Sequence, residues 1–483
     1  MKNLVFKLTL LEWLGIISIF IVFLSQLIYI NPFVSSWDQV DFSLAVQRFD
    51  LMEMQPHFPG YPFFILGGKL LHLVVSQPSQ ALTAFAILFY ASALFPLYRL
   101  LRKRISRPYS FLVTSVMYTT SYCVITVNQP MSEGPALAAM WWYVWGLEHA
   151  INSKYNWVML VPLALLSLLL GIRLSYLPFA IGLFYLFYLK VKNDKIPIKK
   201  ILYYSIWGAI LQLIWVIGLI LSEGSLKGFI KLSLAFTSGH FTDWGGAIET
   251  DHISFFERVY LFIWKNILWT GTFAESWLTA ILFFILIGII LFQRIKKNQP
   301  TNTLLYWLFS SYFLWALLAQ NIEKARHVLP IVLMFILFVM LKLFLKKPSA
   351  IIIGVVVLIL LFQVNRDVKL LKVQASEKPA VYQMNDYIQH LNESVILYTW
   401  EETRVLQYLQ APYFHKRIET YQWFKLDAKY YHGKTVLLTD KVVEGFKAQG
   451  VDLDGKIKKL KTFHSNELFD PVYHDITLYK WIE

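Results

Sequence analysis

Apolar runs long enough to cross a bilayer recur along most of this chain, and they restrict its fold more than any other feature. A helical span needs roughly 20 apolar residues. Such runs lie near 9–30, 80–99, 108–127, 134–149, 158–172, 173–190, 201–221, 276–293, 302–320, 328–345 and 349–363, with Gly171, Arg173 and Pro178 interrupting the stretch 158–190. In lipid each backbone amide must find its partner within the segment, so runs of this kind fold as helices. Composition agrees: 57% of residues are hydrophobic and 16% charged, against about 25% charged in soluble domains. The expectation is an all-α polytopic membrane protein with about eleven transmembrane helices. Lys2 and Lys7 precede the first run as in a signal peptide, but the run is long and no small-residue cleavage site precedes Asn31. A retained first helix is expected. Cys123 is the single cysteine, which excludes an intrachain disulfide and a cysteine-based metal site.

Charge orients this layout. The net charge is +14, from 45 Lys and Arg against 31 Asp and Glu. In a soluble protein that excess would suggest nucleic acid; here it reads as cytoplasmic loop charge, so no nucleic-acid partner is expected. RLLRKRISR at 99–107, KVKNDKIPIKK at 190–200, RIKK at 294–297 and KLFLKK at 342–347 all fall on one side. The other side receives 31–61, where Arg48 faces Asp38, Asp41, Asp50 and Glu53, and 222–260, where Lys227, Lys231 and Arg258 face Glu223, Asp243, Glu249, Asp251 and Glu257. The basic side is cytoplasmic. A multi-pass plasma-membrane protein follows, with its N-terminus inside and its acidic loops and C-terminal region outside. Residues 62–78 and 253–275 read as interfacial or shallow helices.

The pattern changes near 365. VILYTW at 395–400, TVLLTD at 435–440 and HDITLYKWI at 474–482 read as strands, and 401–410 and 441–450 as helices. Two domains are expected: a transmembrane module over 1–365, which includes the outer loop 31–61, and a small extracytoplasmic α/β domain over 366–483. The second carries no nucleotide-binding fingerprint.

Polar residues at the outer side are the candidates for chemistry. Asp38 and Asp41 share a face if 37–49 is helical; solvated loop acids would look the same. The turn QPHFPGYPFF, 55–64, is stiffened by three prolines and given freedom by Gly60. It holds His57 and Tyr61 over a cleft, or merely leads into a helix. Glu133 in NQPMSEG is either a helix-start acid or a cavity residue. Arg173 lies between apolar runs, where it requires a partner or an anionic ligand unless it snorkels to the interface. Arg326 and His327 sit in the outer turn NIEKARHVLP. Arg326 suits a lipid phosphate, or anchors the protein to headgroups.

At these residues the chain resembles the GT-C type polytopic glycosyltransferases, and most of all the bacterial branch related to protein O-mannosyltransferases and the lipid A aminoarabinose transferase (glycosyltransferase family 39-like). SSWDQVDF resembles the family's first-loop acid, with Asp41 as the second acid. QPHFPGYPFF resembles its Pro-rich segment, with His57 where a lysine is usual. SEGP around Glu133, GIRLSYLP around Arg173 and KARHVLP, with His327 in place of the usual Tyr, resemble its remaining motifs. The resemblance covers roughly 8–363.

It implies inverting transfer of a sugar from a polyprenyl-phosphate donor to a hydroxyl on a protein, cell-wall polymer or glycolipid, next to membrane lipids. Asp38 would be the general base, with Asp41 or Glu133 orienting the acceptor or supporting the base. Arg326 would stabilise the departing phosphate, assisted by Arg173, with His327 beside it. His57 and Tyr61 would shape the donor pocket. No cofactor is implied and no metal ligand set is legible, although a divalent cation stays open. The alternative is a transporter or flippase of a lipid-linked or anionic substrate; no repeat between halves supports it.

Overall fold

The computed structural model describes residues 8–242, 246–248, 253–292 and 303–482. Lys2, Lys7, Asp243, Glu249, Asp251, the RIKK cluster and the run ends at 293 and 302 lie outside the described residues. Each expected span is helical over most of its described length. By length and composition, however, six described helices are able to cross a bilayer, or eight if each of two bent pairs is one span, rather than eleven. The reason is local. Asn156–Ile172 and Thr303–Ala319 are apolar but short. Arg107–Tyr118 meets Ser121–Val127 at 57°, and Phe255–Thr272 meets Trp277–Phe292 at 109°. Helix Glu133–Asn152 is long enough but carries charge at both ends, Glu133 and Glu148. The 158–190 stretch breaks at Arg173, which joins Leu160–Ile172 to a tight 3₁₀ turn over Leu174–Ala180.

The two ends of helix Glu133–Asn152 differ in chemistry. At its C-terminal end, Lys103 and Arg104 both reach Glu148, and Lys190 donates to the Ser153 carbonyl at 2.8 Å. Lys103, Arg104, Leu189 and Leu345 line one cavity there, so three of the basic connections, those near 103, 190 and 345, meet at one face. Glu133 lies about 22 Å away along the helix axis, at 1.5 Å per residue.

The C-terminal region folds as a five-stranded sheet in the order β2-β1-β3-β5-β4. The strands are β1 Val395–Thr399, β2 Phe414–Arg417, β3 Thr435–Thr439, β4 Ile457–His464 and β5 Asp475–Trp481. β2, β1 and β3 are parallel, and β5 and β4 complete the sheet antiparallel. Every residue of β1 is buried, as a central strand covered on both faces requires. β4 keeps its lysines outward, which protects an exposed edge. One face packs Ile396, Tyr398 and Leu438 against Phe424, Val442 and Phe446. The other packs Val395, Leu397 and Leu437 against Val405 and Leu406, and against Val34 and Val40 of the first outer loop. The outer loop and the C-terminal sheet therefore share one apolar core.

Candidate functional site

Helix Trp37–Gln47 carries both acids of the outer loop. Phe42 and Val46, 1% and 4% exposed, face the membrane bundle, where Phe42 meets Tyr61 and Phe64 edge-on. Val40 faces the C-terminal core. The helix is thus gripped from two sides and its polar residues have fixed directions. Asp38 points into a cavity, whereas Asp41 is fully buried.

The Pro-rich turn supplies the next wall. Asp50 and Gln55 exchange backbone hydrogen bonds at 2.6 and 2.8 Å, and the Gly60 amide donates to the His57 carbonyl at 3.0 Å. Gly60 has φ +88°, and a Cβ there would lie 2.7 Å from Leu219 Cδ2. Tyr61, at φ +46°, is itself in the left-handed region, at a cost of about 1–2 kcal/mol for an L-residue. Gly60→Ala is expected to destabilise the protein by about 1–3 kcal/mol, read as a lower thermal midpoint in detergent; an unchanged midpoint would show that the turn relaxes freely.

The third wall is the loop after helix Thr303–Ala319. Three side chains hold carbonyls of the helix end and of this loop. Arg258, 1% exposed, donates to Leu317 and Gln320 at 2.7 Å each. Asn266 Nδ2 donates to Ile322 at 2.5 Å, and His240 Nε2 lies 2.8 Å from the Ala319 carbonyl. Lys324, Arg326 and His327 follow and face the cavity.

That cavity has a volume of about 560 Å³. Arg326 Nη2 donates to Asp38 Oδ2 at 2.6 Å, and its Nε is 2.9 Å from Glu133 Oε1. The second contact is a charge contact without hydrogen-bond alignment, so the guanidinium is not saturated. Arg173 Nη2 is 3.2 Å from the same Glu133 oxygen, and its Nη1 donates to Ser132 Oγ at 2.8 Å. Glu133, 1% exposed at its side chain, therefore sits behind both arginines. His57 Nδ1 lies 3.1 Å from Asp41 Oδ2 and its Nε2 3.1 Å from the Tyr61 hydroxyl. His327 keeps a buried ring Nδ1 without a hydrogen-bond partner among the described residues. Leu174, Leu177, Phe236, Phe241 and Trp315 give the cavity an apolar portion beside this charged one.

The two acids differ electrostatically. Burial pushes the Asp38 carboxyl up, but Lys324, His57, Arg326 and Arg173 outweigh it and hold Asp38 well below the usual carboxylate range. At Asp41 burial prevails over His57 and Arg404, and the carboxyl is raised. Among the described residues, no group of three or more His, Cys, Asp or Glu side chains is placed to hold a metal ion.

Of the residues expected from sequence, Asp38, His57, Tyr61, Arg173, Arg326 and His327 line the cavity, while Asp41 and Glu133 stand behind its wall. Sequence reasoning did not find Trp37, Glu401, Arg417 or Arg404. Glu401 and Arg417 follow and end the parallel strands β1 and β2, and reach the cavity from the sheet's carboxyl edge, the edge at which parallel sheets commonly bind ligands. Lys324 lay within a motif already singled out. Trp37 lay within another, SSWDQVDF, and Glu401, Arg404 and Arg417 carry no local signal.

No family model matches the chain, and neither does any curated protein sequence. Solved structures do. The architecture is that of a polytopic membrane protein of the GT-C fold with a β-strand-containing C-terminal domain. The likeness is to ArnT from Cupriavidus metallidurans. The structure of ArnT bound to undecaprenyl phosphate superposes with a TM-score of 0.52 at 10% identity over 97% of each chain. The apo structure gives 0.52 at 9% identity over 96% of this chain and 97% of ArnT.

Proposed function

We propose that the protein transfers a sugar from a polyprenyl-phosphate donor to an acceptor hydroxyl, with inversion, at the outer face of the plasma membrane. One observation carries the reading: Asp38 and Arg326, 288 positions apart, meet at 2.6 Å in a cavity that is charged on one part and apolar on another. The GT-C fold shared with ArnT, solved with undecaprenyl phosphate, supports the donor class. The basic face at the far end of helix Glu133–Asn152 supports this orientation. In this reading residues 1–365 are the catalytic module and 366–483 an extracytoplasmic cap.

The chemistry needs a base and a phosphate clamp. The acceptor oxygen attacks the sugar carbon opposite the phosphate and its proton passes to Asp38. The carbon–phosphate-oxygen bond breaks, and its electron pair leaves with the polyprenyl phosphate. Arg326 and Arg173 compensate the charge developing on that oxygen. Asp38 paired with Arg326 is a weak base. A phosphate binding to Arg326 competes for the guanidinium and weakens that pairing, which returns basicity to Asp38 once donor is present. Glu133 keeps the two like charges of Arg173 and Arg326 together when the cavity is empty. His57, Tyr61 and His327 line the sugar-bearing portion. The reading routes no step through a metal.

The test is incubation of the purified protein with a panel of polyprenyl-phosphate-linked sugars and protein, cell-wall and glycolipid acceptors, with mass analysis of products. A covalent sugar adduct with release of polyprenyl phosphate is expected. Movement of the lipid-linked sugar across vesicles with no covalent product would overturn transfer and carry the flippase alternative.

A further inference from the structure

Asp41 is fully buried and lies behind the cavity wall, yet it is not a bystander. Its two oxygens are divided between two partners. Oδ2 faces His57 Nδ1 at 3.1 Å. Oδ1 accepts from Arg404 Nε at 2.9 Å and is in charge contact with Arg404 Nη2 at 2.8 Å. Arg404 belongs to the C-terminal domain, 363 positions away, on helix Glu402–Tyr408, which follows β1. The same guanidinium donates to the carbonyls of Glu53 and Met54 at 3.3 and 3.2 Å, just before the Pro-rich turn, and lies 5.7 Å from the Trp37 ring, next to Asp38. One side chain thus touches the helix that carries the acids, the turn leading to His57, and the residue preceding Asp38.

We propose that Arg404 is a positioning residue for the cavity: it fixes the Asp41 carboxylate, and Asp41 in turn fixes His57 with Nδ1–H turned inward and Nε2 turned to Tyr61 at the cavity wall. A carboxylate oxygen only accepts, so Nδ1 carries the proton toward Asp41. In a neutral ring Nε2 is then the acceptor and Tyr61 donates to it at 3.1 Å. A carboxylate buried at Asp41 with the His57 ring as its single partner would be costly, and Arg404 Nε supplies a charged donor to its other oxygen. The domain therefore acts on the site through a specific side chain in addition to the apolar core it shares with the outer loop. A lysine at 404 supplies charge to Asp41 without the planar fork that also spans the two carbonyls.

The inference deepens the transferase reading through its turnover arm, but its first arm needs no turnover. Full-length protein in detergent micelles, labelled with ¹⁵N-histidine, reports the state of each ring nitrogen, and His57→Gln identifies the His57 resonances. Wild type is expected to show His57 with Nδ1 protonated. Arg404→Met is expected to release that selection, giving signals of exchanging tautomers, and Arg404→Lys to retain it. Asp41→Asn releases it as well, and adding Arg404→Met in that background is expected to change the His57 signals no further. Turnover of whichever lipid-linked sugar is active should fall about 10²-fold in Arg404→Met, the scale of a misplaced site group, with partial recovery in Arg404→Lys. His57 signals unchanged by Arg404→Met in folded protein would overturn the proposal and leave Arg404 as a domain fastener. Should Arg404→Met not fold, His57 signals unchanged by Asp41→Asn would overturn it equally. Altered signals with no transfer in wild type would instead sink the transferase reading alone.

Discussion

Asp38→Asn is expected to lower sugar transfer by about 10²–10⁴-fold, the range that a positioned general base supplies, while the protein still inserts and folds. The substitution keeps the shape of the side chain and removes the proton acceptor. Stability should change by roughly 0–1 kcal/mol, because the Asp38 side chain is 28% exposed and Arg326 keeps Glu133 as partner. Activity and stability thus separate, which a residue with a purely structural role would not allow. The pH dependence has a definite sign. Asp38 is held below its ordinary range by the cations around it, once burial is outweighed. Its paired charge is therefore fully present above the unfolded value, about 3.9, and is lost as pH falls through the lower folded value. The free enzyme, reported by kcat/KM, should show no acid limb from Asp38 above about pH 4. Asp41, raised by burial, is the carboxylate expected to titrate higher. An acid limb that disappears in Asp41→Asn would belong to Asp41. Full transfer activity in Asp38→Asn would remove Asp38 as the base.

Arg326→Ala is the second large effect. It should weaken binding of undecaprenyl phosphate and lower turnover by about 10²–10³-fold, as loss of one aligned charge donor does. It carries a stability cost as well. Glu133, 1% exposed, loses one of its two cationic partners, and breaking a buried pair costs about 3–5 kcal/mol. The double variant Arg326→Ala, Glu133→Gln separates the two effects. It should recover much of the thermal midpoint without recovering phosphate binding. Arg326→Lys should lie between, since it keeps the charge and loses the bidentate fork. Equal undecaprenyl phosphate affinity in wild type and Arg326→Ala would show that the phosphate sits elsewhere.

Much of this site was legible because membrane chains are constrained in few ways. Long apolar runs specified helices, and uneven basic charge specified their ends. Polar residues at the outer ends then stood out against apolar surroundings. Arg173 needed a partner and the structure supplies Glu133 and Ser132. Glu133 was left open between a helix start and a cavity residue. It is the first residue of helix Glu133–Asn152 and also the counter-ion of two arginines. What sequence could not yield were the long-range pairings. Nothing near Asp41 announces Arg404, and nothing near Trp37 announces Arg417, whose guanidinium lies 5.8 Å from the Trp37 ring. Three central elements of the C-terminal domain, β1, β3 and β5, were legible because buried strands are rich in branched and aromatic residues. The edge strands β2 and β4 were missed: FHKR and IKKLKTFH carry outward polar residues and no continuous apolar run. The count of about eleven spans is not matched by helix length and composition, which give six to eight among the described residues. The difference lies in the short helices Asn156–Ile172 and Thr303–Ala319 and in Glu133–Asn152, which carries Glu133 and Glu148.

A determined structure of the full-length protein with undecaprenyl phosphate tests the central claim most directly. The account predicts the phosphate within hydrogen-bond reach of Arg326, its tail along Leu177, Phe236 and Trp315, and the Asp38 carboxylate released from Arg326 and facing the vacant acceptor side. A phosphate held at the basic face by Lys103 and Arg104, with Asp38 and Arg326 still paired, would contradict it.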